Sequence, residues 1–304
     1  MTTTRDVQIA GTGFAVLDRI YQAGVLTAEG LGGSCANVLW SLAMLDRSVA
    51  PILRLGADEV GSHLVDAFRA AGAVTSYIYR REHQLSPVLV QYLDTERGEH
   101  SFSSICPETL TRLPKYTPIM NRQVDASSAV TRSCRVFYAD RLSPAIVEAM
   151  EAAASAGGTV YFEPSEISDL ALFRRALQAT SILKFSSDRL DRAVLDDHMA
   201  SHLYAVITRG SEGLEVVHRN RAVSCSAYHV EEVVDTCGSG DMVSVGLIDH
   251  LVSLGVGRIG LTVEAVVAGV RAGQRLAAAN CRHVGARGLF TAEGARAARD
   301  ALRE

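Results

Sequence analysis

Residues 233–241 read Val-Val-Asp-Thr-Cys-Gly-Ser-Gly-Asp and run straight into an apolar helical stretch that starts at Met242. Glycines ahead of a helix let backbone amides approach a ligand closely. Those amides also sit at the positive end of the helix dipole, so the segment is suited to an anion. Asp241 falls in the first helical turn. A carboxylate there could take a proton from a hydroxyl while the amides hold developing negative charge. The pattern by itself also fits an ordinary loop-to-helix junction, with Asp241 serving only as a favourable first-turn acid. Glu163, in Phe162-Glu163-Pro164-Ser165, ends a predicted strand. In an open parallel sheet such ends face the ligand crevice, so Glu163 is a further candidate, with a polar loop residue as the other reading.

These residues need a scaffold, and the apolar periodicity supplies one. Val7 to Ala10 reads as a strand followed by the turn Gly11-Thr12-Gly13. A helix is predicted from Ser34 to Leu45, with Ala36, Leu39, Trp40, Ala43 and Met44 at helical spacing. Pro51 to Leu55 reads as a strand and Val60 to Ala71 as a helix stopped by Gly72. Val88 to Leu93 and His100 to Phe102 resemble a hairpin. From about residue 130, strands (135–139, 159–162, 182–185, 204–208) alternate with helices (143–156, 169–179, 190–199). A hairpin over 215–225 and helices over 239–254, 263–280 and 292–303 follow. This alternation implies a mostly parallel sheet covered on both faces, the three-layer α/β/α class. No internal repeat or linker is visible. The expectation is one α/β domain over residues 1–304, with small β excursions near 14–33 and 75–110.

Composition agrees. The chain has 304 residues, 48% hydrophobic and 21% charged, with a net charge of −4. That is an ordinary globular profile, without the basic field that nucleic-acid binding uses. No apolar run reaches a membrane span, since Asp249 and His250 interrupt the best one, and the first residues do not form a signal peptide. Six scattered cysteines without a CxxC pair suit free thiols in a reducing cytoplasm. Gly11 and Gly13 do not extend to a dinucleotide fingerprint, because Val16 holds the third glycine position. His198 and His202 are four apart, but Met199 replaces the glutamate of HExxH, so no zinc site is expected.

Asp235-Thr236-Cys237-Gly238-Ser239-Gly240-Asp241 resembles the DTxGAGD signature of the ribokinase-like (PfkB) carbohydrate kinases. Gly32-Gly33-Ser34-Cys35-Ala36-Asn37 is similar to that family's GGxxxN element. Gly13 followed by Asp18 is similar to its first strand-turn, and Gly56-Ala57-Asp58 with Gly61 to its G-x-D-x-x-G segment. Thr208-Arg209-Gly210-Ser211-Glu212-Gly213 resembles its T-x-G-x-x-G turn. The resemblance covers about residues 7–290.

It implies transfer of the γ-phosphoryl group of ATP, with Mg2+, to a hydroxyl of a sugar or, alternatively, a nucleoside. Asp241 would be the general base, and the amides of Gly238, Ser239 and Gly240 would stabilise the transferring group. Asp18, Gly32, Gly33 and Asn37 would hold the substrate. Thr208, Gly210 and Gly213 would line the nucleotide, with Asn280 at the adenine end. Asp235 would orient the loop or help hold a monovalent cation such as K+ against Gly285-Ala286-Arg287-Gly288. The excursions would form a lid that excludes water. A homodimer through the lid, using Tyr77, Ile78, Tyr79 and Val88 to Leu93, is a further implication.

One element departs from the pattern. The family's Asn-x-x-Glu, which helps organise Mg2+, is here Ser186-Ser187-Asp188-Arg189. The departure leaves the metal arrangement open, and a catalytically weak binding homologue is the third reading. Cys237 stands at a variable position, as a small residue or as a thiol activated by the helix terminus.

Overall fold

In a computed structural model, the described residues are 6–94, 99–190 and 200–303. The chain alternates strands and helices in the order β1 (Ile9–Thr12), β2 (Val16–Gln22), β3 (Val25–Gly32), α1 (Ser34–Met44), β4 (Val49–Pro51), β5 (Leu53–Gly56) and α2 (Glu59–Ala70). Next come β6 (Ile78–Arg81), β7 (Val88–Asp94), β8 (Glu99–Ser103), α3 (Asn121–Ser133), β9 (Val136–Ala139), α4 (Pro144–Ser155), β10 (Thr159–Phe162), α5 (Leu170–Ala179) and β11 (Ile182–Ser186). The last third holds β12 (Tyr204–Thr208), β13 (Leu214–His218), β14 (Arg221–Cys225), α6 (Ser239–Leu254), α7 (Val263–Asn280), α8 (Gly288–Ala292) and α9 (Gly294–Arg303). The helix expected over 190–199 falls, beyond Leu190, outside the described residues, as does His198.

The main sheet has the order β14-β13-β12-β11-β10-β9-β1-β4. The run from β4 to β12 is parallel, and β13 and β14 close one edge as an antiparallel hairpin. Its central strands are buried apolar runs because helices cover both faces. Alternate side chains divide between two cores. Val136, Tyr138, Tyr161, Ile182 and Val206 pack with α1, α2, α6 and α7. Phe137, Ala139, Val160, Phe162, Leu183 and Phe185 pack with α3, α4 and α5. Helix α3 was not expected from the sequence. Its buried stripe is thin, with Val124 and Val130 joined by Ser127 and Thr131.

A second sheet, β3-β2-β7-β8, stands apart from the first. Residues 14–33 enter it as expected. Residues 75–81 do not, because β6 pairs in parallel with β5 in a separate two-stranded sheet. The strand predicted over Pro51 to Leu55 is likewise two strands, divided at Ile52 between the main sheet and this small one. Tyr77 and Tyr79 pack against the second core and Ile78 is buried, so they do not form the free apolar face expected of them.

Candidate active site

The carboxyl ends of the parallel strands converge on one crevice. Gly13 follows β1, Asp140 follows β9, Glu163 follows β10, and Ser186 and Thr208 end β11 and β12 in register. Helix α6 enters from the other face with Gly238 as its N-cap. Gly238 has φ 72, and a Cβ there would lie 2.5 Å from the Ala286 backbone, so glycine is required on both counts. The Ser239 amide closes a turn on the Thr236 carbonyl at 3.2 Å. Among the described residues the amides of Gly238 and Gly240 have no acceptor, so an unsatisfied donor pair stands at the N-terminus of α6.

Asp241 is buried in the first turn of α6. Its Oδ2 accepts a 2.8 Å hydrogen bond from Nδ2 of Asn37, in the first turn of α1. Burial pushes its pKa up to about 7, and the Glu163 carboxylate adds to the rise. The Asn37 bond and the Lys184 ammonium oppose it. A carboxyl poised near neutrality suits proton transfer.

Asp18, on β2, folds over Gly32 at the end of β3. A Cβ on Gly32 would sit 1.7 Å from Asp18 Oδ2, so only glycine leaves room for this carboxylate. Burial raises Asp18 to about 7, with Arg287 pulling the other way. Gly33 is the N-cap of α1. The side-chain oxygens Asp18 Oδ1 and Asn37 Oδ1 are buried and have no partner. Buried acceptors are costly to leave empty, so both oxygens call for a donor that the described residues do not supply.

Three charged groups that the motif reading did not assign complete the crevice. Lys184 is a buried lysine in an otherwise apolar strand; it pairs with Glu163 and lies beside Gly240. Glu163 Oε2 also accepts from Ser244 Oγ of α6 at 2.7 Å and from the Tyr138 hydroxyl at 3.2 Å. Arg287, in the loop before α8, donates to the Leu31 carbonyl and stacks its guanidinium 4.5 Å above the Trp40 ring. Burial lowers Arg287 to about 10, while Asp18 and Asp241 hold it up. Asp140 is fully buried, and burial lifts it to about 6 against Arg141. Its two oxygens accept from the amides of Phe14 at 2.8 Å and Cys35 at 3.0 Å, which fixes the turns that present Asp18 and Asn37.

Asp235 is a junction. Oδ1 accepts from the Cys237 amide at 2.7 Å and from Nε2 of His100 at 2.5 Å; Oδ2 accepts from the Gly285 amide at 2.6 Å. Asn280 is wholly buried at the end of α7. Its Nδ2 donates to the Gly285 and Cys237 carbonyls at 3.2 and 3.5 Å, and its Oδ1 accepts from the Leu289 amide at 3.0 Å. Its polar atoms are thereby taken up in bracing two loops.

The structure thus brings together Asp18, Gly32, Gly33, Asn37, Asp235, Gly238, Ser239, Gly240 and Asp241. Thr208, Gly210 and Gly213 form their own turn. Gly213 has φ 102 and packs against the Cys225 carbonyl, and no hydrogen bond among the described residues ties this turn to 235–241. Gly56, Asp58 and Gly61 prove structural. Asp58 caps α2 through the Gly61 amide at 2.8 Å and accepts from the Ser86 amide and hydroxyl. Ser186 and Arg189 shape a turn in which Arg189 is exposed. Burial, with Asp235 and Asp241 nearby, pushes the Cys237 thiol up to about 12, so the helix terminus does not activate it.

Known proteins share the sequence pattern and the fold over most of the chain. The model of the pfkB family carbohydrate kinases matches residues 24–292. The fructokinase of Vibrio alginolyticus is 26% identical over 262 residues, which cover 79% of this chain and 83% of that protein. The structure of a fructokinase with bound ATP from Xylella fastidiosa superposes with a TM-score of 0.77 at 21% identity, covering 99% and 100% of the two chains. The ribokinase of Giardia lamblia superposes with a TM-score of 0.78 at 15% identity, covering 98% of each chain.

Proposed function

The chain belongs to the pfkB family of carbohydrate kinases, and on that footing we propose that it moves the γ-phosphoryl group of ATP to a sugar hydroxyl with Asp241 as general base. The observation that carries this reading is the Asn37–Asp241 bond beside the unpartnered oxygens of Asp18 and Asn37. A polyol lying over Gly32 and Gly33 would donate hydroxyls to those oxygens and present another to Asp241. As that oxygen attacks the γ-phosphorus, its proton passes to the Asp241 carboxylate and the bond to the ADP oxygen breaks. The Gly238 and Gly240 amides and the Lys184 ammonium face the place where phosphoryl charge spreads, an arrangement of fixed donors that favours the transition state.

Mg2+ neutralises phosphate charge when it is bound with the nucleotide. A hydrated ion held mainly by the nucleotide's phosphates would call for few protein ligands. Glu163 is the carboxylate on this rim that would face the ion. Thr208, Gly210 and Gly213, at the ends of β12 and its turn, would line the nucleotide. Asn280 would act there indirectly, through the loops it braces.

The similarity to fructokinases makes a ketohexose the first acceptor to try. The second sheet would act as a lid over the sugar. Its two edge strands expose apolar side chains, Val25 and Leu26 on β3 and Phe102 on β8, which a second copy of the chain would cover. No helix among the described residues is long and apolar enough to cross a membrane. The cytoplasm, with its ATP and reduced thiols, is the compartment we assign. The test is ADP release with ATP and Mg2+ across a panel of sugars and nucleosides. Phosphorylated sugar is the expected product; a nucleoside product, or none from any acceptor, would overturn the reading.

A further inference from the structure

We propose that His100 is the positioning residue for the phosphoryl-binding loop, and that its bond to Asp235 stands in for a monovalent cation at this junction. The inference rests on the kinase reading above. A cation between this loop and the C-terminal loop needs oxygen ligands with free lone pairs. The oxygens here are largely taken up by N–H donors. Three N–H donors converge on the Asp235 carboxylate, from Cys237, Gly285 and His100. A carboxylate has about four acceptor positions, so little capacity remains. The carbonyls of Cys237 and Gly285, which would bridge the two loops through an ion, receive the Asn280 amide instead. The two loops are therefore already joined through N–H donors, the task an ion would otherwise perform, and on that ground the residues do not fit K+.

The imidazole is set for its part. Gln91 on β7 is buried, and its Nε2 lies 2.5 Å from Nδ1 of His100. An amide donor there assigns Nδ1 as the acceptor, so Nε2 carries the hydrogen and donates to Asp235. Asp235 passes the constraint on through the Cys237 amide, next to Gly238. His100 on β8 and Asp18 on β2 ride on the same four-stranded sheet. The sheet that holds the sugar therefore also orders the loop that receives the phosphoryl group, and the loop is fully formed only while the sheet is in place.

The experiment measures kcat and KM for the full-length enzyme in K+ and in tetramethylammonium at equal ionic strength, for wild type, H100A and H100Q. Amide hydrogen exchange of segment 235–241 is followed in parallel. Wild type should turn over alike in both cations. H100A should lose about tenfold to a hundredfold in kcat with a smaller change in KM for ATP, as removal of a charge-assisted bond implies. H100Q, whose amide can still donate to Asp235, should recover part of the loss. Exchange of 235–241 should be faster in H100A and indifferent to K+ in wild type. A wild-type enzyme that requires K+, or an H100A variant with unchanged kcat, would overturn the proposal. If wild type phosphorylates nothing in either cation, the kinase reading fails, and the exchange data still decide whether His100 orders the loop.

Discussion

Nδ2 of Asn37 donates to Oδ2 of Asp241 over 2.8 Å, joining the first turns of two helices that lie far apart in the chain. The amide nitrogen serves the base, while the amide oxygen is buried without a partner. The residue that would recognise the sugar therefore also sets the protonation of the group that would deprotonate it. Burial and Glu163 push Asp241 toward its neutral form, and the Asn37 bond and Lys184 pull it back, leaving it near 7.

Replacing the base tests its role directly. D241N keeps the size and the hydrogen-bonding capacity of the side chain but cannot take a proton. A fall in kcat of about 10²–10⁴-fold is expected, with ATP affinity by calorimetry nearly unchanged. Turnover that survives the substitution would remove Asp241 from the mechanism.

N37A should move the pH profile. The lost bond had favoured the charged carboxylate, so the Asp241 pKa must rise above its present value of about 7. The acidic limb of kcat should shift to higher pH, and the variant should regain rate as the medium becomes more alkaline. An acidic limb at the wild-type position would show that the limb belongs to another group.

G32A should act on the sugar alone. The added methyl would occupy the place of the Asp18 carboxylate, 1.7 Å from Oδ2, and force that side chain away. KM for the sugar should rise by about tenfold or more while KM for ATP stays put. Equal changes in both constants would mean that Gly32 supports the fold rather than the substrate.

Asp18 also links stability to pH. Its carboxyl is raised from 3.8 to about 7 in the folded protein, chiefly by burial. Between those values the native state holds a proton that the unfolded chain has released. The group's contribution is thus full at low pH and is lost as pH rises through the window. D18N cannot titrate. Its stability relative to wild type should therefore grow from about pH 5 to about pH 8, by on the order of a few kcal/mol. A constant difference between the two proteins would show that Asp18 is not raised.

Lys184 and Glu163 separate charge pairing from chemistry. K184M leaves a carboxylate at the crevice without its cation and should cost about 3 kcal/mol of stability in denaturant unfolding. The double variant E163Q/K184M removes both charges and should recover most of that stability. Its kcat should stay low, because the ammonium beside Gly240 is still missing. Recovery of rate together with stability would make the pair purely structural.

The glycine-rich turn into α6, the aspartate in its first turn and the glycine pair ahead of α1 could be placed from the sequence because they are local patterns with local causes. The glycine N-cap of α6 and the acid in its first turn lie within four consecutive residues, and the chain spells them in order. The alternation that defines the main sheet was legible for the same reason. Arg287, Asp140 and His100 were not, since each acts across the fold and no neighbour in the sequence betrays it. Lys184 left one trace, a lysine inside the apolar run Ile182 to Phe185. Helix α3 escaped because only Val124 and Val130 of its buried residues are apolar, the others being Gln123, Ser127 and Thr131. The split at Ile52 escaped because both strands are apolar, and periodicity cannot tell which sheet a residue joins.

The order of the main sheet bears on how the protein is made. During synthesis β1 emerges first and soon meets β4, but its other neighbour, β9, comes much later, and the hairpin edge later still. Long-range pairing of this kind is slow to close. The nascent chain therefore carries Asp18 and Asn37 well before α6 brings Asp241 and the loop amides. A product ending before α6 lacks both the Asp241 carboxylate and the bond that Asn37 makes to it, so the crevice is complete only once the last third of the chain is in place.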